Sequence, residues 1–241
     1  MAYANTLGKG TIMKKKRFII WGLVIVGMFI LSEGAVKAGT VIDQEMTDIW
    51  GKQGGSLLFY SKKKLRIDQK DGRLSTIMDF KNDQIVILDH ASKSYVEYPF
   101  SLWEKQVSQK IEPRNRQKRE IRVEPTGAEK HVNGFMTRQI QIFIDGVLFQ
   151  DTWVTQDVDL EEMLETIKEV SRLSSSSKAD VKEKEEIYQR IKKWGFPIFT
   201  TEYRRFSGKT LTEITEVKGI KTRNLGSDVF TPPRGYIKRA R

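Results

Sequence analysis

From Thr40 to about Phe100 the chain alternates between apolar and polar positions, broken at short intervals by turn residues. Leu57, Phe59, Leu65 and Ile67 share one parity, and Tyr60, Lys62, Lys64, Arg66 and Asp68 share the other. That period of two predicts a half-buried antiparallel strand with one wet face. Asp71-Gly72 turns the chain into Arg73 to Phe80. Lys81 to Asp83 turns it again before Ile85, Val86, Ile87 and Leu88, and Ala91 to Lys93 precedes Ser94 to Tyr98. Short strands joined by tight turns imply a meander. Later, Ile140, Ile142 and Ile144 alternate with Gln139, Gln141 and Phe143, and Asp145-Gly146 leads into Val147 to Thr155, a strong hairpin signal.

The period then changes. Leu160, Met163, Leu164, Ile167 and Val170 recur at helical spacing behind Asp159, an N-cap residue, with Glu161 and Glu162 in the first turn. Ser174 to Ser177 interrupts. A second helix follows from about Val181 to Trp194, with Ile187, Ile191 and Trp194 on one side and Gly195 and Pro197 as stop signals. Strands resume at Ile198 to Phe206 and Thr210 to Lys221, joined by Ser207-Gly208-Lys209, and Pro232-Pro233 opens a basic tail. The fold class is α+β, with a helical pair spliced into a sheet.

The N-terminus departs from both patterns. Lys14 to Arg17 precede fourteen apolar or glycine residues, Phe18 to Leu31, and then a small-residue stretch in which Val36 and Ala38 occupy the positions before a cut ahead of Gly39. This order of segments is that of a secretory signal peptide. The apolar run is shorter than the roughly twenty residues a bilayer-spanning helix needs. Met13 begins a conventional leader, so residues 1–12 read as an extension without function, 13–38 as the signal peptide and 39–241 as a single domain. The expected location is the periplasm.

Composition changes the picture in two ways. Six basic residues and one acidic residue precede Gly39, so the net charge falls from +11 to +6 on cleavage, and nucleic acid is not indicated as a partner. The chain has no cysteine, which removes disulfide staples, lipobox acylation and thiol or soft-metal sites. The histidines, His90 in a turn and His131 in a polar loop, read as surface residues. No Gly-rich phosphate loop, nucleophile elbow or zinc-protease signature is present, and Glu161 and Glu162 lie on a wet helix face. We read the chain as a non-enzyme with no cofactor and no metal, acting as a monomer.

Two places could carry binding. The segment from Lys110 to Arg122 is rich in basic side chains, and Arg114, Arg116, Lys118 and Arg119 form a candidate patch for a partner or an anionic membrane surface, against the plainer reading of a solvated loop. The aromatic residues offer the other. Phe149 and Trp153 share a strand parity, and Trp194 and Phe196 close the second helix. They pack an ordinary core, or they line an apolar cavity left between a curved sheet and helices on its concave side. The candidate lining is Phe59, Ile142, Phe149, Trp153, Leu164, Ile167, Trp194 and Phe196.

Several strings resemble those of an uncharacterised family of exported bacterial proteins near the LolA, LolB and LppX lipoprotein-carrier fold. They are Lys64-Leu65-Arg66-Ile67-Asp68, Lys93-Ser94-Tyr95, Asp145-Gly146 leading to Trp153-Val154, Gly195-Phe196-Pro197, and Phe230-Thr231-Pro232-Pro233-Arg234-Gly235-Tyr236. The resemblance implies a half-open antiparallel sheet, a half-barrel, wrapped around helices, with a cavity used by relatives for acyl groups. No site residue carries over with it. Two functions follow as expectations. The first is a soluble periplasmic protein holding a lipid or a lipoprotein acyl chain in the concave face. The second is an envelope interaction or sensory module that uses the sheet edge or the basic loop and holds no ligand.

Overall fold

The alternating segments build strands β1 (Ala38–Thr47), β2 (Gln53–Ser61), β3 (Lys64–Gln69), β4 (Leu74–Asp79), β5 (Gln84–Asp89) and β6 (Ser94–Pro99), then β7 (Ile121–Val132), β8 (Phe135–Ile144), β9 (Val147–Thr155), β10 (Phe196–Phe206), β11 (Lys209–Asn224) and β12 (Ile237–Lys238). Between them lie helices α1 (Phe100–Ser108), α2 (Glu161–Ser174) and α3 (Lys178–Lys192). The computed structural model describes residues 38–108, 119–158, 161–174 and 178–240. The leader with Val36, the basic residues Arg114, Arg116 and Lys118, the cap Asp159, the interruption at 175–177 and the side chains of Leu164 and Ile167 lie outside the described residues. Ala38 is the first residue of β1 and pairs with Asn224.

All twelve strands join one open sheet in the order β12-β6-β5-β4-β3-β2-β1-β11-β10-β9-β8-β7, antiparallel except where β12 runs parallel to β6. Two local meanders, β2 to β6 and β7 to β10, flank a central seam of β1 on β11. A sheet this wide coils because each strand twists against the next. One buried cluster accordingly draws on Ile42, Tyr60, Leu65, Met78 and Ile85 on one side of the seam and Phe196, Ile198 and Val217 on the other. Met163 and Leu173 of α2 belong to this cluster, as does Phe100 of α1, and Ile187 and Ile191 of α3 pack with Ile140, Ile142, Ile144 and Val154 in a second one. These side chains define the front face.

Two sequence expectations fail at the β2–β3 hairpin. The alternation from Leu57 to Asp68 is two strands, with Lys62 at φ +53° and Lys63 forming the turn between them. A two-residue turn reverses which parity faces front, so Leu58 and Tyr60 share that face with Leu65 and Ile67, while Phe59 points back. Lysines gave no turn signal here, because left-handed backbone is ordinarily supplied by Gly, Asn or Asp. The helix α1 was also invisible. Nine residues make too short a periodic pattern, although Phe100 is buried and Trp103 Nε1 donates to the Leu173 carbonyl at 3.1 Å.

The largest correction concerns the C-terminus. What reads as a basic tail is a strap across the back face. Leu225 and Phe230 are buried against Ile77, Val86 and Leu88, with Val41, Phe59 and Tyr95 around them, and Arg66 Nη1 donates to the Val229 carbonyl at 2.9 Å. His90, expected at the surface, joins this strap. Its ring nitrogens lie 2.6 Å from Ser75 Oγ and 2.7 Å from Tyr236 Oη. β12 then pairs with β6, and Lys238 forms an ion pair with Glu97. His131 is also not in a loop. It lies in β7 opposite Met136 and is exposed.

Candidate functional site

A cavity of about 780 Å³ lies between the front face of β1, β9, β10 and β11 and the helices α2 and α3. Strand alternation sets its floor. Ile198, Thr200, Glu202 and Arg204 of β10 lie beside Glu213, Thr215 and Val217 of β11, with Gln44 of β1 and Phe149 and Gln150 of β9 at the flanks. Ile187, Tyr188 and Ile191 of α3 and Lys168 and Arg172 of α2 complete the lining. Along the strand floor, Phe196, Ile198 and Val217 lie towards the start of β10 and Glu202, Arg204 and Glu213 towards its end, while further charged side chains line the helical side.

The two carboxylates at the charged end are directly opposite each other, since Glu202 pairs with Glu213 in the β10–β11 register. Facing like charges oppose strand pairing. Arg204 answers both, with Nε 2.9 Å from Glu202 Oε1 and Nη2 3.1 Å from Glu213 Oε2. Burial, reinforced by the Glu213 charge and partly countered by Arg204, pushes the Glu202 carboxyl above its ordinary range. The helices are tied to each other and to their surroundings by ion pairs: Lys168 with Glu185 at 2.7 Å, Arg172 with Glu104, and Arg119 with Glu183.

Of the aromatic and aliphatic residues predicted to line a cavity, Phe149 and Phe196 meet in this one. Phe59 does not, being on the back face. Ile142 is fully buried in packed core, and Trp194 packs in the same cluster with its Nε1 buried and without a partner. Trp153 also faces back, with Lys130 Nζ 3.9 Å from its ring centre and Phe199 as its β10 partner. A register shift at Ile142/Phe143 separates Phe149 from Trp153 despite their common parity, because an extra residue in one strand turns the side chains that follow. The Arg119 guanidinium is held by Glu183 rather than offered to a partner. The polar floor was missed. Its signal was the repeat Ile198, Thr200, Glu202, Arg204 on one parity, which reads equally as a wet face.

The family model for a domain of unknown function, DUF4412, matches residues 41–236, nearly the whole described chain. The chain belongs to the DUF4412 family. The match runs from within β1 through β11 to Tyr236 of the strap. No curated protein matches this DUF4412 chain. Among solved structures, it is similar to an uncharacterised conserved protein from Thermus thermophilus, at 11% identity over 89% of this chain and 99% of that one, with a TM-score of 0.45. It is also similar to the MucA/MucB complex of Pseudomonas aeruginosa, at 12% identity over 81% and 56%, with a TM-score of 0.41. A LolA superfamily protein from Nitrosomonas europaea matches at 6% identity over 82% and 91%, with a TM-score of 0.27. Among the described residues, no helix is long and apolar enough to cross a membrane.

Proposed function

We propose that this DUF4412 chain is exported to the envelope and binds one amphiphile, a lipid or the acylated end of a lipoprotein, with its apolar part in the cavity and α2 and α3 as the cover. The observation that carries this reading is the cavity itself. Its volume of about 780 Å³ lies within the range of small-molecule sites, and its strand floor runs from Phe196, Ile198 and Val217 to Glu202, Arg204 and Glu213. Burial of methylenes against Ile198, Val217 and Phe196 supplies the affinity, at roughly 0.8 kcal/mol each. Glu202, Arg204 and Glu213 meet the polar end. Residues 14–38, with the order of a signal peptide, support export.

Native mass spectrometry of the chain from Gly39 onward, purified without detergent, is expected to show a single adduct that organic extraction identifies as a lipid. Protein that emerges empty and takes up no added lysophospholipid refutes the proposal. Thr200→Trp puts an indole on the cavity floor and is expected to lower adduct occupancy by about tenfold or more while the sheet circular dichroism is retained. A folded T200W that keeps its lipid places the ligand elsewhere.

A further inference from the structure

Strand direction sorts the exposed apolar side chains. Going up β1, the chain turns at residues 48–52, and antiparallel pairing puts the β3–β4, β5–β6, β8–β9 and β10–β11 turns at that same end of the sheet. Among the described residues, the large exposed hydrophobics are Met46, Trp50, Leu74, Met136, Val147, Phe206 and Ile237. All but Met136 lie at this end. Met46 and Trp50 finish β1, Leu74 opens β4, Val147 opens β9, Phe206 finishes β10, and Ile237 sits beside the start of β6, its N–H donating to the Lys93 carbonyl. Met136, at the start of β8, is at the other end.

Trp50 is 74% exposed, Ile237 71% and Phe206 64%. Nothing in the fold requires these side chains at turn tips. The Trp50 loop is nonetheless a built turn. Asp48 Oδ1 accepts from the N–H groups of Trp50 and Lys52, both at 2.9 Å, which presents the indole outward. The same turns and their edges carry Lys52, Lys70, Arg73, Lys93, Arg205 and Lys209 against Asp48, Asp71, Asp89 and Asp145. Asp71 is engaged by Arg73, Asp145 accepts from the Glu120 N–H, and Lys70 is paired with Asp43.

We propose that this rim of strand ends docks on an anionic lipid bilayer. The spacing of the apolar tips selects that occupant. From β12 to β9 they are spread over nine strand intervals, about 43 Å measured along the sheet at the usual strand spacing. A folded protein partner is recognised by a compact apolar core within a polar ring. Separate tips set among cations instead suit a fluid interface, where each side chain inserts independently and Trp favours the headgroup level. The charged end of the cavity faces the same way, since Arg204 and Glu213 are close to the β10–β11 turn that carries Phe206. The rim thus brings the cavity's polar end towards the bilayer. This inference does not depend on the cavity being a ligand site.

The test is flotation of the chain from Gly39 onward, which retains the whole sheet, with vesicles of phosphatidylglycerol and phosphatidylcholine and with vesicles of phosphatidylcholine alone. Binding is expected to the anionic vesicles, to weaken as salt rises, and to fall about tenfold or more in the double variant Trp50→Ser with Phe206→Ser. Met136→Ser, which removes an exposed apolar side chain at the opposite end, is expected to bind as the parent does, and Trp50→Ser alone to bind more weakly than Met136→Ser. A parent that floats with neither vesicle, a W50S/F206S protein that floats as well as the parent, or an M136S protein that loses as much as the double variant overturns the proposal. Lipid retained in the cavity of a rim variant that no longer floats separates this inference from the ligand reading.

Discussion

Gly195 is the residue on which the junction of α3 and β10 depends. It follows the helix at φ +124°, and a methyl group there would meet the Thr155 carbonyl oxygen at 2.1 Å. Gly195→Ala therefore combines backbone strain with a clash against main chain, and we expect a loss of at least about 1–3 kcal/mol, read as a lowered thermal midpoint. Glu202 makes a second prediction, of opposite sign. Its carboxyl is raised by burial, so the folded state holds the proton more tightly than the unfolded chain. Stability is lost as pH climbs from the ordinary carboxylate range through the raised value, and the penalty is complete above it. Glu202→Gln removes the penalty. Urea unfolding should find the variant more stable than the parent at about pH 8, with the gap closing by about pH 5. A gap independent of pH would show that the carboxylate is not strained.

At the scale of elements, the strap from Leu225 to Tyr236 does for the back face what α2 does for the front. Leu225 is buried and presses on the backbone of Gly39, where no side chain could fit beneath it. Leu225→Ala should cost about 2–5 kcal/mol, measured by denaturant midpoint, although it lies near the end of the chain. A cost near zero would mean that the strap merely rests on the sheet. The sequence was silent about this element because its apolar residues follow no period. Where a turn needs left-handed backbone and supplies the ordinary residues for it, reading was direct: Asp145-Gly146, at φ +51° and +75°, joins β8 to β9 as expected. Lys62-Lys63 makes an equally tight turn without those residues, and with that turn went the face assignment of Phe59. Helices α2 and α3 were readable from apolar spacing alone. Which strands form the cavity floor was not, because Thr200 and Glu202 look solvated in a linear pattern and are in fact half-buried.

For the whole molecule, the division between what was legible and what was not follows the distance along the chain. Neighbouring strands joined by turns of the ordinary residues, such as Asp145-Gly146, were legible from those turns. The pairing of β1 with β11 had no such signature, and it joins Ala38 to Asn224. Charge is also settled locally: within the basic stretch Lys110 to Arg122, Arg119 is tied to Glu183, and in the last residues Lys238 is tied to Glu97. That central seam also sets the order of events when the chain acquires its structure. Each meander can form from local contacts as soon as its own strands exist, whereas closing β1 on β11 must overcome the entropy of the long loop between them. β11 follows β2 to β10 along the chain, so the first strand keeps an unpaired edge until β11 has formed. We therefore expect the zipping of this seam to be the slow step in reaching the native state, with the interval before it closes the one in which the protein is most open to proteases and to other strands seeking an edge.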